Sequence, residues 1–588
     1  MNDARRNKRR VGIAVLVIFA VVAVFVVRLV DIQVVRASEL NTESLSKRSV
    51  SQTTYGSRGN IVDSSGNVLA DSVDRFDITA SPLLVDEFER LEEDGKSRIT
   101  VSINDAIDEL AATTGAPVAD ITKALTEKPD SNFAYVAKSV TLETLTAVRA
   151  LKIPWIYDVL HPSRTYPNGA IAGNLVGFIG TDGPQAGLEY ALNEKCVGST
   201  NGTSTYERGA DGIRIPGSTV TSKEAKDGGT LRLTIDRDFQ WYVQQANAQR
   251  AVELGAKWAT TVVVRVSDGH LMAVADYPSV DPNNVDGSAV DALGSRAFST
   301  PYEPGSTMKS MTIASLLDAG QIEPLTQVVA PGRRDLGNGE SIKDAWAHAD
   351  IPYTATGVLT NSSNTGISLL SDKLAPEKRR DYMLAFGLNQ STGAFPGESS
   401  GYVPPTSDWD AVTNYAVQFG QGESTTSAQI ASLYQTLGNG GVRQPLTLIE
   451  GCEWPDGTVT ELPATEGTRA VSEAAADTTV RMMENVVTQG GLSQALTIPG
   501  YRLAAKTGTA EVANAPGGGY GNDYVVSIAG LVPAENPQYA IVVTIGEPST
   551  MKTSTAVAPT FKKLVTQTIK TFRIEPSLDP SPEIPLTW

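Results

Sequence analysis

The pattern of apolar and polar residues begins with one long apolar helix and continues as shorter segments. An unbroken apolar run covers Val11 to Val27, close to the length that crosses a bilayer. Five basic residues precede it: Arg5, Arg6, Lys8, Arg9 and Arg10. Positive charge before such a run stays on the cytoplasmic side. We therefore expect a cytoplasmic tail at 1–10, a single-pass membrane anchor at 11–30 and the rest of the chain outside the cell. A cleaved signal peptide is the alternative, but no A-x-A site follows the run.

After the anchor the pattern changes twice. Residues 31–54 are polar and rich in Ser and Thr, which is typical of a juxtamembrane stalk. Residues 55–226 mix strand-like runs such as Phe76–Ala80 with helical patterns such as Leu142–Leu151, which predicts an α+β module. Glycines between 198 and 217 and at 228 and 229 indicate a boundary, so a second module is expected at 227–574.

The second module has the pattern of an antiparallel sheet flanked by helices. Runs at Thr260–Val266 and Leu271–Ala275 predict two strands that turn at Asp268-Gly269. A further pair of strands is predicted at 525–531 and 539–545, followed by a helix at 558–571. The predicted fold class is α+β. Residues 575–588 contain four prolines and few apolar side chains, so this segment is predicted to be extended or a disordered tail.

Composition narrows the possible partners. Hydrophobic residues make up 41% and charged residues 20% of the chain, which is typical of a protein that buries a core. The net charge is −17, which leaves no basic surface for nucleic acid once the N-terminal arginines are set aside. We therefore expect no nucleic-acid partner.

The cysteines and histidines exclude several kinds of site. Cys196 and Cys452 are the only cysteines, too few for a disulfide scaffold or a zinc site. We interpret both as unpaired structural residues, with pairing as the alternative. His161, His270 and His348 share no motif with a serine or a carboxylate. Neither a Ser-His-Asp triad nor a metal or other cofactor is expected.

Three short motifs occur in order in the second module. They are Ser306-Thr307-Met308-Lys309, Ser362-Ser363-Asn364 and Lys506-Thr507-Gly508-Thr509. Each is weak alone, because Ser-x-x-Lys recurs at 44–47 and 549–552, and Ser-x-Asn recurs at 65, 102 and 199. Their order and spacing are those of penicillin-binding proteins and serine β-lactamases.

The first two motifs predict a nucleophile and its proton carriers. Ser306 follows Pro304-Gly305 and opens an apolar helix, where Lys309, three residues later, shares its face. A neutral lysine can deprotonate the serine if burial and a nearby positive charge lower its pKa. Lys506 is the candidate for that charge. Ser362 is predicted to pass a proton to the leaving amine, and Asn364 to hold a substrate amide.

The third motif predicts a strand that binds substrate. Gly508 would let a substrate backbone approach closely. The N–H groups of Thr509 and Ser306 could form an oxyanion hole. Lys506 and a threonine hydroxyl, such as that of Thr507, could hold a terminal carboxylate.

The chain resembles the class B penicillin-binding proteins, the monofunctional D,D-transpeptidases, over nearly its whole length. Besides the three motifs, matches to the family lie at 58–63, 164–167, 187–189, 233–236, 302–306, 418–422 and 439–441. The resemblance implies an elongated pedestal domain at 55–226 and a β-lactamase-like serine transpeptidase domain at 227–574. It also implies a peptidoglycan stem ending in D-Ala-D-Ala as substrate and acylation of Ser306 by penicillin and other β-lactams. A polytopic glycosyltransferase and other division proteins are the implied partners.

Alternatives to this function follow from the same motifs. The short cytoplasmic tail and single anchor favour the septal members of the family over the elongation members. A hydrolase, either a D,D-carboxypeptidase or a β-lactamase, would use the same acyl-enzyme but needs water to attack it. A β-lactam sensor would need a larger cytoplasmic element than the ten residues before the anchor.

The repeated Ser-Thr-Met-Lys sequence gives a test of the nucleophile. The copy at 549–552 follows Gly546-Glu547-Pro548 and leads into a polar stretch, where a lysine stays solvated and charged. Ser306→Ala should abolish labelling by penicillin. Ser549→Ala should leave it within about twofold, as expected for a surface change. A penicilloyl group found on Ser549 by mass spectrometry would contradict this assignment.

Overall fold

The computed structural model describes residues 2–91, 96–180, 182–207, 209, 215–337, 339–513 and 519–588. Part of the glycine-rich boundary, at 208 and 210–214, lies outside these residues. The α-helices are α1 Asn2–Val30, α2 Ala37–Arg48, α3 Ile103–Thr114, α4 Val118–Thr126, α5 Leu142–Ala150, α6 Gly173–Val176, α7 Gly187–Ala191, α8 Arg237–Leu254, α9 Arg296–Ser299, α10 Lys309–Asp318, α11 Ala355–Thr360, α12 Asn364–Ser371, α13 Pro376–Ala385, α14 Thr413–Ala416, α15 Ser427–Gly438, α16 Glu473–Thr488, α17 Ser493–Leu496 and α18 Ala558–Thr571.

The strands alternate with these helices along most of the chain. They are β1 Ser49–Thr54, β2 Ile61–Val62, β3 Val68–Val73, β4 Phe76–Ala80, β5 Phe88–Leu91, β6 Arg98–Val101, β7 Ala134–Val140, β8 Ile156–Leu160, β9 Ser163–Thr165, β10 Ile179–Gly180, β11 Gly183–Pro184, β12 Gly202–Glu207, β13 Val220–Lys223, β14 Thr230–Leu233, β15 Trp258–Arg265, β16 Leu271–Tyr277, β17 Gln327–Ala330, β18 Arg333–Gly337, β19 Glu340–Lys343, β20 Ile351–Thr354, β21 Val442–Arg443, β22 Ile449–Glu453, β23 Val459–Thr460, β24 Thr468–Arg469, β25 Ala504–Ala513, β26 Tyr520–Val532 and β27 Tyr539–Gly546.

The chain folds into two compact units, and each is built from separate segments. The first comprises Met1–Ser57, Asp74–Pro162 and Ser199–Asp227, and the second comprises Arg58–Val73, Ser163–Gly198 and Gly228–Trp588. The predicted modules at 55–226 and 227–574 are continuous segments, whereas these units interleave.

The first unit carries the N-terminal helix and a small α+β core. A helical stretch at Ala4–Val35 is long and apolar enough to cross a membrane, and none of its most apolar part is buried against the described residues. It fits a single-pass membrane anchor. Residues 31–54, predicted as a stalk, include α2 and β1, and β1 pairs with β12.

The core of the first unit is a three-stranded sheet covered by helices. The strand order is β7-β4-β8, and α3, α4 and α5 supply apolar side chains such as Leu110, Ile121 and Leu145. These side chains pack against Ile78 of β4 and against Trp155, which directly precedes β8. The predicted strand at Phe76–Ala80 and the helix starting at Leu142 are confirmed.

The second unit is organised by a five-stranded antiparallel sheet of order β16-β15-β27-β26-β25. The predicted pairs β15–β16 and β26–β27 are both present, and α18 has the predicted bounds. Helices α8 and α18 pack on the sheet through Phe239 and Phe561, and this layer forms one apolar cluster. Helices α10, α15 and α16 belong to a second, larger cluster. The α+β class with an antiparallel sheet between helices is confirmed.

A second sheet in this unit joins distant segments, with the order β23-β22-β14-β2-β3-β9. Strand β14 pairs in parallel with β2 and antiparallel with β22. Residues 58–73 and 163–165 therefore fold with the C-terminal part of the chain. The glycine-rich segments that indicated a domain boundary could not predict this strand pairing, because it joins residues that lie far apart in sequence.

The two cysteines form a disulfide, with their Cα atoms 5.8 Å apart, so the prediction that they are unpaired is wrong. Strand β14 explains why they meet. Leu231 lies opposite Cys452 in the sheet, and Gly229 N–H donates to the carbonyl of Cys196 at 2.8 Å. The two cysteines thus meet through a long-range register that the sequence does not display.

The segment 575–588 is extended, but it is not a disordered tail, which corrects that part of the prediction. Ser577 N–H donates to Gly500 O at 2.9 Å, and Ile584 N–H donates to Asn485 Oδ1 at 2.9 Å. Thr587 forms an antiparallel bridge with Tyr353. Composition alone indicated disorder because these contacts are made mainly by the backbone, which all residues share.

A buried ion cluster draws together three of the segments that resemble the family. The Glu189 carboxylate, which has no solvent exposure, accepts from Arg58 Nη2 at 2.7 Å and from Arg164 Nε at 2.6 Å. The hydroxyl of Tyr166 lies 3.4 Å from the same carboxylate. Glu189 therefore ties the 58–73 segment to the 163–198 segment inside the second unit.

Replacing this carboxylate should destabilise the second unit. Glu189→Gln leaves two guanidinium groups without their counter-charge, and breaking a buried pair in this way costs about 3–5 kcal/mol. Asp381→Asn is the matched control, because Asp381 and Lys378 are both well exposed and such pairs contribute under about 1 kcal/mol. Thermal and denaturant unfolding would measure both. Equal stability losses in the two variants would contradict the role given to Glu189.

Candidate active site

The predicted nucleophile lies in a tight turn at the start of α10. Residues Gly305–Met308 form a 3-10 turn that continues into the α-helix at Lys309. Gly305 has φ +60, and a Cβ there would lie 2.8 Å from the carbonyl oxygen of Thr509. A side chain at this position would therefore push the turn away from β25. Ser306 itself is partly exposed, while its neighbours Thr307 and Met308 are buried.

Lys309 is fully buried beside Ser306. Its Nζ lies 3.1 Å from Ser306 Oγ, 2.5 Å from Ser362 O and 2.7 Å from Asn364 Oδ1. Burial is the main cause that holds the pKa of Lys309 well below its usual value, and the charge of Lys506 lowers it further. The carboxylate of Asp344 acts in the opposite direction. This is the environment that favours a neutral amine.

Ser362 connects the two lysines. Its Oγ lies 3.2 Å from Lys309 Nζ and 3.0 Å from Lys506 Nζ. Its backbone has φ +58, a left-handed conformation that costs a non-glycine residue about 1–3 kcal/mol. This conformation accompanies the turn that ends α11 and begins α12, where Ser362 presents both its carbonyl and its hydroxyl to Lys309.

Lys506 extends from β25, the edge strand of the five-stranded sheet. Its side chain is fully buried, and burial lowers the pKa of Lys506 to about 7. Besides Ser362, its Nζ contacts the carbonyl oxygen and the hydroxyl of Thr507, at 3.1 and 3.3 Å. Thr509 is exposed and Thr507 is partly exposed, so their side chains border the open edge of the strand.

Gly508 has a structural role besides the substrate contact predicted for it. A Cβ at this position would lie 3.0 Å from Pro304 O, 3.0 Å from Thr307 Cγ2 and 2.4 Å from Ser527 Oγ. These atoms belong to the nucleophile turn and to β26, not to open space. Gly508 thus lets the turn that carries Ser306 pack closely on β25, a requirement that the motif alone does not display.

Sequence reasoning missed Asp344, which follows β19 and holds the second motif in place. Its side chain is fully buried. One carboxylate oxygen accepts from the N–H groups of Asn364 and Thr365 at 2.5 and 3.0 Å. The other accepts from Ser363 Oγ at 2.7 Å and lies 2.9 Å from His348 Nε2. Asp344 therefore acts as an anionic cap on the N-terminus of α12.

The same segment fixes the orientation of the Asn364 amide. Asn364 Nδ2 donates to the carbonyl of Lys343 at 3.1 Å, which turns Oδ1 toward Lys309. Sequence analysis did not identify Asp344, because it lies twenty residues before the motif that it supports and adjoins no predicted element. His348, which contacts Asp344, lies in no recognisable motif either.

The second Ser-Thr-Met-Lys copy lies elsewhere. It follows β27 in an exposed loop, where Ser549 Oγ donates to Leu254 O at 3.1 Å. Lys552 Nζ donates to Asn522 O at 2.5 Å and lies 3.7 Å from the Asp523 carboxylate. The structure therefore keeps this copy apart from the second and third motifs, and the predicted exposed loop is confirmed.

Comparisons with known proteins show the family of the chain. Residues 259–566 match the penicillin binding protein transpeptidase domain, and residues 53–233 match the penicillin-binding protein dimerisation domain. The chain is 34% identical to the penicillin-binding protein PbpB of Mycolicibacterium smegmatis, over 97% of this chain and 91% of the relative. It is 30% identical to the peptidoglycan D,D-transpeptidase FtsI of Escherichia coli, over 88% of this chain and 84% of the relative.

Solved structures give the same result. The crystal structure of penicillin binding protein 3 from Mycobacterium tuberculosis, complexed with aztreonam, aligns with a TM-score of 0.69 and 29% identity, covering 90% of this chain and 99% of that one. A peptidoglycan synthetase from Bifidobacterium adolescentis aligns with a TM-score of 0.73 and 28% identity, covering 92% of this chain and 100% of that one. The chain therefore belongs to the class B penicillin-binding proteins, the D,D-transpeptidase group that combines a dimerisation domain with a transpeptidase domain.

Proposed function

We propose that this D,D-transpeptidase cross-links peptidoglycan stem peptides during septal wall synthesis, through an acyl-enzyme on Ser306. The observation that carries the proposal is the set of oxygen atoms around Lys309. The septal role is supported by the similarity to FtsI and PbpB.

The contacts of Lys309 favour its role as the base. The carbonyl of Ser362 and the Oδ1 atom of Asn364 can only accept hydrogen bonds. A neutral amine has two N–H donors and one lone pair, so these two oxygens use both donors. The lone pair is then left for the hydroxyl of Ser306, 3.1 Å away. The same two oxygens hold the amine in position before substrate arrives, which reduces the reorganisation needed for proton transfer.

The acylation step follows from these positions. Ser306 Oγ attacks the carbonyl of the penultimate D-alanine as its proton passes to Lys309. The C–N bond to the last D-alanine then breaks, and the leaving amine takes a proton through the hydroxyl of Ser362. That hydroxyl lies between Lys309 and Lys506, so it can return the proton from either lysine. An amine of a second stem then attacks the ester and releases Ser306.

The substrate would lie along the open edge of β25. An added peptide strand can use the free backbone groups of an edge strand. Thr507, Thr509 and the charge of Lys506 would hold the terminal carboxylate, and the N–H groups of Ser306 and Thr509 would form the oxyanion hole. β-Lactams would occupy the same position.

We propose the following arrangement at the membrane. The basic cluster before α1 keeps residues 1–10 in the cytoplasm, so the catalytic unit lies outside, where its wall substrate is found. The segments at 55–226 and 227–574 would serve as pedestal and transpeptidase domains. A polytopic glycosyltransferase would supply the glycan strands, and other division proteins would recruit both enzymes.

Activity distinguishes this proposal from hydrolysis. With lipid-linked stem peptides as donor and acceptor, the full-length enzyme should release D-alanine and form cross-linked dimers in equal amounts. Its penicillin adduct should persist for minutes or longer, because no group in the site is assigned to activate water. Release of D-alanine without dimers, or loss of the adduct within milliseconds, would favour the hydrolase alternative instead.

The charges around Lys309 predict opposite pH effects for two variants. Acylation requires neutral Lys309, so its rate rises with pH through the pKa of Lys309. Asp344→Asn removes a negative charge, which lowers that pKa and moves the rising limb to lower pH. Lys506→Gln removes a positive charge, which raises that pKa and moves the limb to higher pH. Both should also slow acylation by about tenfold or more.

The measurement is the second-order rate constant for acylation by a fluorescent penicillin as a function of pH. Asp350→Asn is the matched control for Asp344→Asn, because Asp350 is exposed and contacts none of the three motifs. Rising limbs that move in the same direction in the Asp344 and Lys506 variants would contradict the assignment of Lys309 as the base.

A further inference from the structure

The last residues of the chain lie against the element that carries the second catalytic motif. Strand β20 pairs with β17 on one side. On its other side, Thr587 bridges to Tyr353, Thr354 N–H donates to Leu586 O at 3.0 Å, and Trp588 N–H donates to Pro352 O at 3.2 Å. Residues 584–588, here called the clamp segment, thus act as an additional strand beside β20.

The clamp segment also contacts the first turn of α11. Thr354 is the N-cap of this helix, and its Oγ1 accepts from Gly357 N–H at 3.0 Å. The same hydroxyl donates to Pro585 O at 2.7 Å. Because the proton of the hydroxyl is directed at Pro585, its lone pairs face the helix, so the clamp segment orients the cap.

Gly357 shows how closely the segment approaches. A Cβ at this position would lie 1.9 Å from Leu586 O, far inside van der Waals contact. Glycine is a poor helix former, yet it stands here in the first turn of α11. The sequence thus retains an unfavourable helical residue where only a glycine leaves room for the clamp segment.

Helix α11 in turn fixes the catalytic turn that follows it. The carbonyl oxygens of Gly357, Val358 and Leu359 accept from the N–H groups of 361, 363 and 362, at 2.9, 3.0 and 3.2 Å. Every residue of α11 is buried. A shift of the helix is therefore transmitted to Ser362, whose carbonyl and hydroxyl both contact Lys309.

We propose that residues 584–588 are a positioning segment for acylation: they clamp the N-terminus of α11 and thereby hold Ser362 against Lys309. The proposal rests on the acylation of Ser306 proposed above. The segment touches neither the substrate site nor the reacting atoms, so its effect is on geometry. It is held by backbone hydrogen bonds, by Asn485 of α16 and by the packing of Ile584 against the larger apolar cluster.

The first experiment uses Gly357→Ala in the full-length chain. The added methyl group must displace Leu586 by more than about 1 Å, and misplacement of this size near a reacting group costs about ten- to a hundredfold in rate. The second-order acylation constant for penicillin, measured per active site titrated, should fall by that factor. Gly491→Ala is the matched control, because its Cβ meets no atom within 4 Å, and it should acylate at the wild-type rate.

The second experiment removes residues 583–588 and leaves residues 1–582 unchanged. Acylation should slow to the level of Gly357→Ala, and a peptide with the sequence of Glu583–Trp588 should restore the rate in a saturable way. Gly357→Ala added to the shortened chain should cause a smaller loss than in the unshortened chain, because the clash with Leu586 O is gone and only the Tyr353 ring, 2.9 Å from the added Cβ, remains. Leu578→Ser is the control within the same region, since Leu578 is 98% exposed.

The outcomes separate this proposal from the proposed function. The wild-type chain should be acylated on Ser306. If the shortened chain and Gly357→Ala then have the same second-order acylation constant as the wild type, the clamp is disproved while the proposed function holds. If the shortened chain does not fold, Gly357→Ala decides alone: a rate equal to that of Gly491→Ala disproves the clamp. A fall in melting temperature without a change in the rate constant would also disprove it, since a purely structural role predicts that result.

Discussion

The chemistry of this enzyme depends on placing the side chains of Lys309 and Lys506 in one buried space, where both amines contact the hydroxyl of Ser362. Two ammonium groups that close would repel each other, and burial adds a desolvation cost to each charge. The arrangement is therefore stable only if at least one amine is neutral. Burial and the charge of Lys506 hold the pKa of Lys309 well below its usual value, which favours the neutral amine that the proposed mechanism requires. The same repulsion that makes the site costly to build thus favours the neutral state of the proposed base.

Much of the surrounding structure limits how these amines are placed. Gly305 and Gly508 allow the turn that carries Ser306 to lie directly on β25. The packing of this turn on the strand therefore sets the position of Ser306 relative to Lys506. Asp344 holds the second motif and the start of α12 by accepting from Ser363 Oγ and from the N–H groups of Asn364 and Thr365. Its carboxylate also counteracts the fall in the pKa of Lys309. The pKa of the proposed base is thus shifted in opposite directions by one positive and one negative neighbour, each carried by a different part of the fold.

The sequence predicted what depends on local pattern and on residue type. The strands around Asp268-Gly269, helix α18 and the three motifs were all visible, because periodicity and spacing are local properties. Long-range pairing was not visible. The Cys196–Cys452 disulfide, the membership of 58–73 in the second unit and the docking of 584–588 all depend on a register between distant segments. Asp344 was missed for the same reason, since its partners follow it by twenty residues.

The two Ser-Thr-Met-Lys copies show why residue identity alone does not make a nucleophile. Both have the same four residues, yet Ser306 lies in a turn whose lysine is buried beside a second lysine, whereas the loop at 549–552 leaves Lys552 beside the Asp523 carboxylate and solvent. A carboxylate partner and water both favour the charged ammonium, which has no lone pair to accept a proton. The difference between the proposed nucleophile and an ordinary serine is therefore set by the elements that enclose the lysine three residues later. Because those elements are α11, α12 and β25, the reactivity of Ser306 is a property of the folded second unit rather than of its motif.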